Sequence, residues 1–214
     1  MEVVGRYEED GYALLKGLVA PRVARAFLHR LSRDLGRTAL PLVGEGPHSR
    51  VLQRPALEVH GGDYSPMLFF FWGLTPLMSR LVGRELLPTY DFFRVYRAGD
   101  VCRVHSDRRA CEHSLSLTLD YSDGRIWELQ IGRDGSGTRG VADDFGGEPH
   151  AALAMEPGDA VLYRGIDRRH GRTVPNPNRW SAHLFMHWVD GDGPNRALAF
   201  EGAPPDDAAP VKFG

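Results

Sequence analysis

A mainly β domain of two packed sheets, jelly-roll in type and backed by N-terminal helices, is what the sequence predicts, on three observations. After Pro88 the chain breaks into short apolar runs of strand length. Turns rich in Gly, Asp and Pro separate those runs, and the clearest helical spacing lies before them.

Taken in order, residues 11–17 read as a short strand between two glycines. Pro21 opens a helix through about Leu35: Val23, Phe27 and Leu31 recur at helical spacing, and Gly36 suits the exit. Residues 39–63 are loop-rich and are expected to close over a bound substrate, because long irregular insertions in compact domains are often binding loops. A second helical stretch starts at Ser65-Pro66 and restarts at Thr75-Pro76, each a polar residue followed by proline at the first helical position. Its run from Met67 to Trp72 is apolar on all sides, as core helices are. The predicted strands are 92–97, 101–105, 114–121, 127–131, 151–155, 160–164 and 180–189. Turns fall at 98–100, 122–124 and 156–159, and residues 202–214 have the composition of a flexible tail. The expected organisation is one domain over 1–201, with helical support in 1–88 and the double sheet in 89–190.

Composition narrows the function classes. The 214 residues suit a single core of ordinary size, and a formal charge of −2 gives no global basic field for nucleic acid or anionic lipid. Residues 1–10 lack the basic and apolar pattern of a secretory signal, and no apolar run reaches the ~20 residues of a membrane span. The expected location is cytoplasmic, with no membrane partner, and composition leaves the oligomeric state open. Cys102 and Cys111 are too few for a disulfide framework, and both are read as ordinary reduced residues. Cys102 alternates with His105 and is expected on the opposite face.

The chemistry concentrates at His105 and Asp107. In extended chain, residues two apart share a face, so one strand end presents an imidazole and a carboxylate side by side. A further imidazole would complete a facial triad with open positions, the set suited to non-haem Fe(II). His150, His170, His183 and His187 are the candidates for that place. On the last strand Arg179, Ser181, His183, Phe185 and His187 share one polar face, and an interior arginine there demands an anionic partner. Arg103, Arg108, Arg109, Arg164, Arg168, Arg169 and Arg172 also crowd the ligands in sequence. Most such loop residues face water. Arg103 stands out for sharing parity with His105, and Arg103, Arg108 and His183 are the candidates for binding the primary substrate.

His-x-Asp at 105–107, the apolar run and turn before His170, and Arg179 nine residues later resemble the Fe(II)/2-oxoglutarate-dependent dioxygenases. The resemblance covers about residues 90–190. It implies a distorted double-stranded β-helix of the jelly-roll, cupin-like kind. It implies Fe(II) held by His105, Asp107 and His170, with 2-oxoglutarate and O2 as cosubstrates. The far carboxylate of 2-oxoglutarate would lie on Arg179, helped by Ser181 or Tyr96, with Arg103 or Arg172 the residue to hold it if Arg179 does not. The implied reaction hydroxylates an unactivated C–H bond of an amino acid, peptide or small metabolite and releases succinate and CO2. Retention of Asp107 speaks against halogenation. A cupin-like metalloenzyme that does not use 2-oxoglutarate, and a non-catalytic jelly-roll binding protein, are the alternatives.

Overall fold

The computed structural model describes residues 1–36, 42–43, 50–135 and 140–202. The molecule is mainly β, with two antiparallel sheets and a few helices. The larger sheet has eight strands: β1 (Glu2–Val4), β2 (Tyr12–Lys16), β3 (Leu42–Val43), β4 (Ala56–His60), β5 (Leu86–Arg97), β7 (His113–Tyr121), β10 (Ala160–Tyr163) and β12 (Trp180–Asp190), in the order β1-β2-β10-β7-β12-β5-β4-β3. The smaller has four: β6 (Cys102–His105), β8 (Leu129–Gly132), β9 (His150–Leu153) and β11 (His170–Arg172), in the order β6-β11-β8-β9.

Strand parity divides β12 cleanly. Ala182, Leu184, Met186 and Trp188 enter the apolar core under the helices, whereas His183, Phe185 and His187 turn to the other face of the sheet. The outer core is closed by α2 (Pro21–Leu35) and α3 (Ser65–Val82), after a single turn, α1 (Tyr7–Asp10). The predicted first helix has its expected bounds. It starts with proline at its first position and buries Ala24, Leu31 and Leu35 on one stripe.

The second helix differs from expectation: it does not restart at Thr75 but runs unbroken through Pro76. An interior proline removes the bond to the carbonyl four residues earlier, at a cost of about 3 kcal/mol. That carbonyl belongs to the partly exposed Trp72, and buried Met67, Phe71 and Met78 hold the helix on both sides of the defect. Thr75 adds a pin, its Oγ1 accepting from Trp188 Nε1 at 2.9 Å. Trp188 is fully buried with its ring 4.9 Å from that of Phe71. Trp188→Ala is therefore expected to lower unfolding free energy by about 3–5 kcal/mol, read from urea denaturation. A loss below 1 kcal/mol would mean that the helix is not anchored there.

Four strands were not foreseen: β1, β3, β4 and β11. Residues 39–63 are less irregular than expected, since β4 pairs with β5 from Leu57↔Val95 to His60↔Phe92. The parts of that segment at 39–41 and 44–49 lie outside the described residues, as does the expected tail from 203 onward. No described helix is long and apolar enough to cross a membrane.

Candidate metal centre and its cavity

The smaller sheet brings His105 and His170 together as direct antiparallel partners, one at the end of β6 and the other at the start of β11. Asp107 follows two residues after His105. The three side chains present ligand atoms within 4.8 Å of one another. Asp107 Oδ1 is 3.5 Å from His105 Nε2 and 3.4 Å from His170 Nε2.

Each imidazole is oriented by a backbone carbonyl. His105 Nδ1 donates to Arg103 O at 2.7 Å and His170 Nδ1 donates to Arg168 O at 2.9 Å, which leaves both Nε2 lone pairs facing the carboxylate. Asp107 is held by its own amide on Gly165 O at 2.8 Å and by Ser114 Oγ, which donates to Oδ2 at 3.0 Å. Burial alone would raise its pKa. With no metal bound, a protonated His170, whose charge and Nε2–H then face the carboxylate, outweighs burial and holds the carboxyl well below its usual range. Two neutral-capable nitrogens and one carboxylate, pre-oriented and converging, are a donor set that fits a divalent first-row metal.

Gly165 makes this packing possible. A Cβ there would stand 2.5 Å from Asp107 Oδ2, from Ser114 Oγ and from Cys111 O. Gly165→Ala is expected to push the carboxylate out of line and weaken metal binding by about 10- to 100-fold, the usual effect of disturbing an outer partner. Competition against a chromogenic chelator measures it. Unchanged affinity would show that Asp107 is not positioned by this contact.

The triad opens into a cavity of about 650 Å³. Tyr90, Phe92, Phe185 and His187 form one wall, with neighbouring rings stacked at 4.6–6.1 Å. Of the expected cosubstrate and substrate residues, Tyr96 and Arg108 line this cavity. Arg179 does not. It precedes β12, where strand parity has not yet begun, and its side chain is 79% exposed. Its amide and its Nε both bind Asp123, at 2.7 and 3.2 Å. Ser181 is buried but its hydroxyl is committed to Asn176 Oδ1 at 2.8 Å. His183 is buried behind Tyr96, its ring among Tyr96, Tyr121 and Trp127 and outside the cavity lining. Burial, helped by Arg172 and Arg94, holds its pKa well below the usual imidazole value.

Arg103 and Cys102 exchange their expected places. Between the pairs His170↔His105 and Arg172↔Cys102, β6 uses three steps and β11 two, so β6 carries a bulge. The extra residue brings Cys102 into the cavity lining and sends Arg103 outward to Asp143, at 2.7 Å. Both cysteines are free and buried.

The arginines that reach the cavity beside Arg108 are Arg50, Arg94 and Arg172. Arg94 is neutralised by Glu58, with Nε and Nη2 each 2.7 Å from Oε2. Arg172 is 1% exposed, lies 5.1 Å over Trp127, and its Nη2 has no partner among the described residues. From the sequence it belongs to a group of arginines most of which are expected to face water, and it stands second to Arg179 for the cosubstrate carboxylate. Its position two residues after His170 was the signal that it shares a strand face with the ligand.

No protein-family model matches the sequence, and no curated protein matches it. Solved structures do share its fold. The non-heme α-ketoglutarate-dependent carbocyclase SnoK from nogalamycin biosynthesis superposes with a TM-score of 0.68 at 13% identity, covering 87% of this chain and 82% of that one. HygX from Streptomyces hygroscopicus, with nickel and 2-oxoglutarate bound, gives 0.65 at 10% identity over 87% and 85%. A Pseudomonas putida prolyl-4-hydroxylase gives 0.61 at 11% identity over 86% and 95%. This chain therefore has the fold of the non-heme, 2-oxoglutarate-dependent iron enzymes.

Proposed function

We propose that the protein is an Fe(II)- and 2-oxoglutarate-dependent oxygenase, a single jelly-roll domain whose two sheets form a double-stranded β-helix. The observation that carries this reading is Arg172: a buried guanidinium whose Nη2 has no partner among the described residues, lining the cavity into which the triad opens. A buried cation without an anion is costly, so the site is built for an anionic ligand. Two residues at about 3.3 Å rise place Arg172 about 7 Å along β11 from His170, a span suited to a five-carbon dicarboxylate. Arg172 thus takes the role that sequence resemblance assigned to Arg179.

His105 Nε2, Asp107 Oδ1 and His170 Nε2 would hold the iron. When bound, the metal supplies oxygen activation coupled to decarboxylation of 2-oxoglutarate, with succinate and CO2 as products and one oxygen atom delivered to a substrate C–H bond. The chain's own work is positioning and exclusion. Arg172 fixes the far carboxylate with a charge-assisted fork. Buried Leu129 and Tyr163 line the cavity, with Tyr163 packed 4.6 Å from the His170 ring. Tyr90, Phe92 and Phe185 present an apolar surface to an organic substrate.

Anaerobic iron loading followed by 2-oxoglutarate should produce a visible metal-to-ligand absorption band, and admission of oxygen should release succinate. Iron binding without either signal would instead favour a metalloenzyme that does not use 2-oxoglutarate. Failure to bind iron at all would leave a non-catalytic binding protein.

A further inference from the structure

Resting on that reading, we infer that the primary substrate is an apolar, ring-bearing molecule that ends in a carboxylate, and that Arg108 receives this carboxylate. Arg108 immediately follows the ligand Asp107 and lines the same cavity. Its guanidinium lies 4.2 Å over the Tyr90 ring, and its Nε donates to Tyr90 Oη at 3.3 Å. Among the described residues it has no carboxylate within ion-pair distance. That separates it from Arg94, held by Glu58, and from Arg103, held by Asp143. A guanidinium seated on an aromatic face is fixed in orientation while N–H groups along its edge stay available, the geometry that matches a planar carboxylate.

The apolar part follows from what lies beside it. Tyr90 continues into His187, Phe92 and Phe185, neighbouring rings lying 13° to 28° from parallel, so the wall next to the cation is aromatic along its length. A long polar chain or a sugar would leave its hydroxyl groups unpaired against this surface. A ring would bury against it. The acid-binding site at Arg108 and the dicarboxylate site at Arg172 are distinct, one beside Asp107 at the wall and the other over Trp127.

The test uses 2-naphthoate and its neutral isostere 2-naphthamide as probes, titrated calorimetrically into the anaerobic protein loaded with iron and 2-oxoglutarate. Naphthoate should bind at least about tenfold more tightly than the amide, the scale of one charge-assisted hydrogen bond. Arg108→Met should erase that preference, and Arg108→Lys should restore part of it. Equal binding of the two probes to the parent protein, or no binding of either, would overturn the proposal. So would a preference that survives Arg108→Met. If Arg172→Met alone removed it, the probe would be occupying the cosubstrate end, and the inference would again fall while the oxygenase reading stood. Absence of the absorption band before any probe is added would count against the oxygenase reading. The same titration into metal-free protein would then still decide whether Arg108 selects the acid.

Discussion

His170→Ala is expected to remove both metal binding and oxygen-dependent turnover. The residue supplies one of three converging donors, its Nε2 standing 3.4 Å from the Asp107 carboxylate. Removing it leaves one imidazole and one carboxylate, a pair too sparse to hold ferrous iron against water. The loss should exceed the roughly 10- to 100-fold that disturbing an outer partner costs. Iron content after anaerobic loading and desalting reads the effect directly. His183→Ala is the control, because that ring lies behind Tyr96 and outside the cavity. Full iron occupancy in His170→Ala with loss in His183→Ala would exchange the two assignments.

Arg172→Met should raise the 2-oxoglutarate concentration required for half-saturation by about two to three decades while leaving iron content intact. Truncating one partner of a buried, hydrogen-bonded charge pair costs about 3–5 kcal/mol, and each 1.4 kcal/mol is about tenfold. Methionine retains much of the packing against Trp127, so the variant isolates the charge from the fold. Arg179→Met should leave the titration unchanged, since its guanidinium is ion-paired with Asp123 at the surface. Following the metal-to-ligand band during anaerobic titration separates binding from turnover. If Arg179→Met weakened binding and Arg172→Met did not, Arg179 rather than Arg172 would hold the cosubstrate.

Much of the fold was legible because periodicity reports burial. Phe27 and Leu31 of α2 and the alternation along β12 each correspond to a core that those residues line, whereas Val23 of the expected α2 stripe is exposed and Ala24 is buried beside it. The unforeseen strands were those whose sequences carry little alternation. β11 is three residues with a glycine at its centre, and that glycine is required by close approach, since a Cβ would meet Cys102 O at 2.8 Å. Without β11, Arg172 ranks only as an alternative to Arg179, although it stands two positions from His170 on the same strand.

Sequence by itself determined the donor types, the adjacency of His105 and Asp107, and the division of β12 into a helix-facing and a cavity-facing side, all consequences of the two-residue repeat of extended chain. It did not determine which histidine faces His105 or which arginine enters the cavity. Those were decided by cross-strand register: His170 pairs with His105, a bulge in β6 turns Arg103 out and Cys102 in, and β12 begins one residue too late to carry Arg179 inside. The physical reason is that alternation is local, whereas register and bulges are set by hydrogen bonding between strands distant in the chain, and a single extra residue reverses the face on which a side chain emerges.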